Sequence, residues 1–103
     1  IKVDENNKVY DSRENCNAII KKSSNTLIAG CKNTKIPSGV TKIGDDAFFC
    51  CSGLTSITIP ESVKEIGYRA FSVCDNLTNI TWKGNIYASV NDFMNAFQTQ
   101  MIS

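Results

Sequence analysis

Apolar positions in the middle of this chain recur at one fixed shift. Residues 37–59, PSGVTKIGDDAFFCCSGLTSITI, superpose position for position on 60–82, PESVKEIGYRAFSVCDNLTNITW. Eleven of the 23 positions are identical: Pro37/Pro60, Val40/Val63, Ile43/Ile66, Gly44/Gly67, Ala47/Ala70, Phe48/Phe71, Cys51/Cys74, Leu54/Leu77, Thr55/Thr78, Ile57/Ile80 and Thr58/Thr81. Chance gives about one or two matches at ordinary composition. Within a unit, LTSITIP alternates Ile57 and Ile59 against Thr58, the period of a short strand, and Pro60 ends it. The spacing of Val63, Ile66, Ala70, Phe71 and Cys74 suits a turn followed by a short helix with one buried stripe. Gly67 is expected to supply an unusual backbone angle before that helix. A unit this short cannot bury its own apolar side. It must stack on a copy of itself, strand beside parallel strand at about 4.8 Å per rung.

The flanks extend the pattern. Thr34-Lys35-Ile36-Pro37 repeats the strand and its proline ending, and Ile1-Lys2-Val3 resembles the same strand one longer coil earlier. Strands are therefore expected near 1–3, 34–36, 57–59 and 80–82, in one parallel sheet. The extra length of the first coil reads as a hairpin: CNAIIK at 16–21 and TLIAGC at 26–31 flank the turn-forming KSSN at 22–25. A symmetric turn places Cys16 opposite Cys31, Ala18 opposite Ala29 and Ile20 opposite Leu27. Opposed strand positions lie near disulfide range, so Cys16 and Cys31 are expected as a disulfide or as adjacent thiols. After Trp82 the period stops. Lys83-Gly84-Asn85 reads as a tight turn, Ile86-Tyr87-Ala88 as a return strand, and Ser89 with Asp92 as a capping-box start. Val90, Phe93, Met94, Phe97 and Met101 then fall at helical spacing, an amphipathic helix laid over the open end of the stack.

The expected architecture is one α/β domain over 1–103, a right-handed solenoid with short parallel strands. Its parts are a long variant repeat (1–36), two regular repeats (37–59 and 60–82) and a hairpin-helix cap (83–103). Ile1-Lys2-Val3 begins at full strand character with nothing before it to cover its edge. Further coils upstream in a longer parent are therefore expected.

Composition narrows the chemistry. The chain has 103 residues, 42% of them hydrophobic, which suits one domain with a continuous core. A net charge of +1 leaves no basic stripe for a phosphate backbone, which argues against a nucleic-acid partner. No apolar run approaches the roughly 18 residues of a membrane span. Histidine is absent, removing the commonest general base and metal ligand. Five cysteines are an odd number, and no CxxC pair with zinc spacing occurs. No catalytic, cofactor or metal residue is therefore expected. Cys51 and Cys74 occupy equivalent rungs and read as small buried residues. Cys50 must point to another face as the exposed or odd thiol. Asp45 and Asp46 read as surface acids favoured by the dipole of the expected short helix. The segment 4–7 with Asp11 lacks the spacing and glycine of an EF-hand loop. Trp82, Tyr87 and Phe93 read as packing between the last coil and the cap.

The string IPxxVxxIGxxAFxxCxxLxxIxIP resembles the repeat of the BspA-type leucine-rich repeat family, found in surface and secreted proteins of gut and oral bacteria and in some protists. VYDSRENCNAII followed by TLIAGCKNTKIP is similar to a variant unit of Bacteroides-type members. The resemblance covers about 1–82, and the tail is similar in style to family caps. Cys50 departs from a more usual Gly, and Trp82 from the strand Ile. What the resemblance implies is a non-catalytic, extracellular or cell-surface leucine-rich repeat protein used for adhesion or for contacts with a host or bacterial surface protein or a glycan.

The strand register places Lys2, Lys35, Thr58 and Thr81 outward as a grid, with Ser56 and Asn79 beside it. That grid is the expected binding face. Four short rungs offer less than the roughly 800 Å² per partner of a stable interface, so avidity in a longer parent would be needed. The competing reading is a structural spacer or cap without a ligand of its own, because no Tyr, Trp or Arg stands on the grid.

Overall fold

The computed structural model describes residues 1–102, the side chains of 101 and 102 excepted. The Met101 side chain, last of the expected helical stripe, therefore lies outside the described residues. Eight short strands and one α-helix follow in order, with a single 3-10 turn (Arg13–Asn15) after the first strand: β1 (Tyr10–Asp11), β2 (Ile19–Lys21), β3 (Thr26–Ala29), β4 (Lys42–Ile43), β5 (Ser56–Ile59), β6 (Glu65–Ile66), β7 (Asn79–Trp82), β8 (Asn85–Tyr87) and α1 (Val90–Ile102).

The repeat shift reappears as strand register. Parallel β5 and β7 pair Ser56 with Asn79, Ile57 with Ile80, Thr58 with Thr81 and Ile59 with Trp82. The return strand β8 closes on β7 antiparallel, completing a three-stranded sheet. A second sheet of five strands runs β1-β2-β3-β4-β6. In it Leu27, Ile43 and Ile66 align on consecutive parallel strands. Each coil thus contributes two strand segments, where the sequence suggested one.

The single four-rung sheet expected at 1–3, 34–36, 57–59 and 80–82 is not formed, because neither 1–3 nor 34–36 is a strand. The hairpin claims these segments. Thr34 Oγ1 donates to the Asn17 carbonyl at 2.6 Å and accepts the Cys31 N–H at 2.7 Å, while Lys35 N–H donates to the Cys16 carbonyl. Val3 N–H donates to Ser12 Oγ. The hairpin departs from the symmetric register. Ile20 faces Leu27 as expected, but an irregularity between Ile19 and Ile20 sets Ala29 opposite Ile19. Ala18 and Ala29 therefore do not face each other, and the matched alignment of Cys16 with Cys31 is lost. Both are free thiols, Cys16 buried and Cys31 half-buried.

The short helix expected in each regular unit is also absent. Ala47, Phe49 and Cys51 N–H donate three residues back, to Gly44, Asp46 and Phe48. The alternate N–H groups of Asp46, Phe48 and Cys50 reach the carbonyls of Tyr68, Ala70 and Ser72 in the next coil, at 3.0, 2.7 and 3.0 Å. A left-handed residue every fourth position turns the chain, Asp46 and Cys50 in one unit and Arg69 and Val73 in the next, all with φ of 55–59°. A helix satisfies its N–H groups within itself, whereas this ladder divides them between its own turn and its neighbour. The buried 3-4-1-3 spacing fits either, so periodicity alone cannot separate them. Asp45 and Asp46 consequently cap no helix. Asp45 Oδ1 accepts the Tyr68 N–H at 2.8 Å, and Asp46 pairs with Arg69 at 3.1 Å.

Gly67 does not take a left-handed angle either; among the described glycines only Gly39 and Gly84 do. Its N–H donates to the Ile43 carbonyl at 2.7 Å, and a Cβ there would strike Asp45 and the Gly44 backbone. Close approach between coils is what requires glycine. One core runs from Cys16 and Ala18 in the hairpin to Phe93 and Phe97 in the helix. Ser89 caps α1 as expected, its Oγ accepting the Asp92 N–H at 3.1 Å.

Candidate binding face

The alternation in β5 and β7 sends Ile57, Ile59, Ile80 and Trp82 inward, each 6% exposed or less. Ser56, Thr58 and Asn79 face out and Thr81 is half-buried. Parallel register then sets Ser56 beside Asn79 and Thr58 beside Thr81. Lys35 joins the same surface although its segment is not a strand, and these five residues line one shallow groove. Lys2 does not: it borders a separate hollow with Ile1, Val3 and Arg13.

The hairpin base adds Asn17, Lys32, Asn33 and Thr34, and Ile36 and Ile57 complete the lining. Asn17 adopts a left-handed φ of 55°, and its side-chain amide donates to the Asn33 carbonyl at 3.4 Å. Sequence reasoning missed these residues because they come from the irregular coil, where no repeat marks the outward positions. The groove carries two ammonium groups, with amides and hydroxyls between them, and no carboxylate lines it. The charged groups of its lining are therefore hydrogen-bond donors only, while its amides and hydroxyls can donate or accept.

The thiols look inward or stand alone. Cys74 Sγ donates to the Phe48 carbonyl at 2.9 Å, and burial pushes the thiols of Cys74, Cys51 and Cys16 up. Cys50 is exposed. Among the described residues, no three Cys, Asp or Glu side chains cluster closely enough to hold a metal ion. Trp82 and Tyr87 each meet Phe93 edge-on, with centroids 5.8 Å apart, so these rings pack the cap. Trp82 Nε1 is buried with no hydrogen-bond partner among the described residues.

A second exposed cluster lies on the turn ladder. The Arg69 guanidinium sits 5.1 Å from the Phe49 ring centroid and 5.2 Å from that of Tyr68, and Tyr68 is 74% exposed. A signal for it existed. The units agree at their buried positions except Ile59/Trp82, but differ at Asp45/Tyr68, Asp46/Arg69 and Phe49/Ser72, as outward positions are free to do.

Among the described residues no helix is long and apolar enough to cross a membrane. No curated protein and no solved structure matches the chain. The family model for the BspA type leucine-rich repeat region matches residues 14–103, in six copies. Members of that family are typically non-enzymatic, surface-associated modules of protein interaction. Because the matched stretch takes in the hairpin, both regular coils and the cap, the chain belongs to the BspA-type leucine-rich repeat family.

Proposed function

We propose that this chain is a non-catalytic module of a cell-surface or secreted protein, and that its strand face binds a protein or glycan in an adhesion-type role. The observation that carries the reading is the parallel register of β5 and β7. It assembles Ser56, Thr58, Asn79 and Thr81 beside Lys35 into one polar groove. Hydroxyl, amide and ammonium donors at strand spacing suit a hydroxylated or acidic ligand more than an apolar one. Residues 1–103 act together as one domain. The coils wind right-handedly, as parallel strands joined by a crossover in one sheet almost always do. Contact through so small a face is weak, and repetition in a larger assembly strengthens it.

A spacer role is the second reading, favoured by the lack of any Tyr, Trp or Arg in the groove. A glycan and surface-protein array probed with the intact chain separates the two. Under the binding reading, a ligand is retained by the wild type and lost in both Lys35→Glu and Asn79→Lys. Binding that is absent, or indifferent to both changes, leaves the spacer.

A further inference from the structure

The inter-coil ladder stops at the last regular coil with its donors open. Gly30 N–H donates to the Ala47 carbonyl, and one coil later Asp46, Phe48 and Cys50 donate to Tyr68, Ala70 and Ser72. The repeat shift makes Arg69, Phe71 and Val73 the next three donors. None of their N–H groups makes a hydrogen bond among the described residues. The chain supplies no further ladder coil here. It turns into β8 and then α1, whose N–H groups beyond the first turn are satisfied within the helix. A groove of about 640 Å³ remains between the Arg69–Asp75 edge and the start of the cap, where Ala88, Val90 and Met94 form the facing wall.

We propose that this open edge docks a peptide segment of a partner protein wound as one further ladder turn, which supplies carbonyls at alternate residues to the N–H groups of Arg69, Phe71 and Val73. The surface continues an interface already formed inside the chain. Its occupant is therefore specified by the rungs above it: backbone carbonyls two residues apart, as Tyr68, Ala70 and Ser72 present them to the preceding coil. The carbonyls of those three residues are already engaged, so this stretch of edge offers donors and asks its partner for acceptors. As in strand addition to a sheet edge, main-chain hydrogen bonds would give affinity and flanking side chains selectivity, although the backbone added here is a turn. Here the flanks are Tyr68 and Val73, 74% and 53% exposed, with the Arg69 guanidinium beside them. The site is separate from the polar groove of β5 and β7, and neither depends on the other.

The probe is a capped synthetic peptide of residues 66–74 with Cys74→Ser, which carries the required carbonyl spacing. In the free protein the amides of Arg69, Phe71 and Val73 should exchange with solvent at least about tenfold faster than those of Asp46, Phe48 and Cys50. Saturating peptide should slow the first three by about tenfold and shift their amide resonances. Ala88→Trp and, independently, Asn91→Trp fill the groove from exposed positions on its far wall. Each should abolish the effect at unchanged melting temperature, while Lys35→Glu should leave it intact. The proposal is overturned if the three amides are already protected in the free chain, or if the peptide leaves them unchanged. It is equally overturned if both tryptophan variants retain the response, or if inorganic phosphate alone reproduces it.

Discussion

Phe48 and Phe71, equivalent positions of consecutive coils, lie face to face with ring centroids 5.2 Å apart and planes 6° from parallel. The repeat thus becomes a ring stack through the middle of the core. Phe71 extends it to the cap by meeting Phe93 edge-on at 6.4 Å. Both rings are nearly inaccessible, 1% and 4% exposed.

Truncating either ring opens a cavity that the neighbouring coils cannot close. Phe48→Ala or Phe71→Ala should cost about 3–5 kcal/mol, read from equilibrium denaturation. A loss below about 1 kcal/mol would contradict the buried stack.

Gly67 tests the close approach of coils. The added methyl of Gly67→Ala meets the Asp45 carboxylate, which can turn away, and the backbone of Gly44 and Asp45, which cannot. Destabilisation of about 1–3 kcal/mol is expected from overpacking. A neutral Gly67→Ala would mean that the coils stand further apart.

Val73 carries a strain that the chain can lose. A β-branched residue at φ 58° is unfavourable, and its side chain is 53% exposed, so little packing holds it there. Val73→Asn should therefore stabilise the fold by about 1 kcal/mol. An increase in the denaturation midpoint checks this, and a decrease would show that the turn is not left-handed at that position.

Alkylation should follow burial. Cys50 reacts first, Cys31 and Cys51 more slowly, and Cys16 and Cys74 only on opening of the core. The thiols of Cys16, Cys51 and Cys74 lie above the ordinary range because burial disfavours the thiolate, so their reaction needs higher pH than an exposed thiol. Mass spectrometry after denaturing alkylation without reductant should find five labels, and a linked Cys16–Cys31 would contradict the bulged hairpin.

The sequence alone determined what depends on period and side-chain character. The repeat shift predicted the parallel register of β5 on β7, the buried Phe48 and Phe71, and an outward row containing Ser56, Thr58, Asn79 and Thr81. Helical spacing and Ser89 predicted the cap. Tertiary structure decided what depends on where backbone hydrogen bonds go. Residues 44–54 and 67–77 form a turn ladder because Asp46, Phe48 and Cys50 find carbonyls in the next coil, a choice invisible to a pattern of buried positions. The same holds for Thr34-Lys35-Ile36, whose strand-like alternation is overridden by the Asn17 and Cys16 carbonyls of the hairpin base. It holds too for the displaced alignment of Cys16 and Cys31, where one irregularity at Ile19/Ile20 shifts the register. Apolar periodicity records which side chains leave water. The partner of each N–H is set by segments distant in sequence, and only the assembled coils supply it.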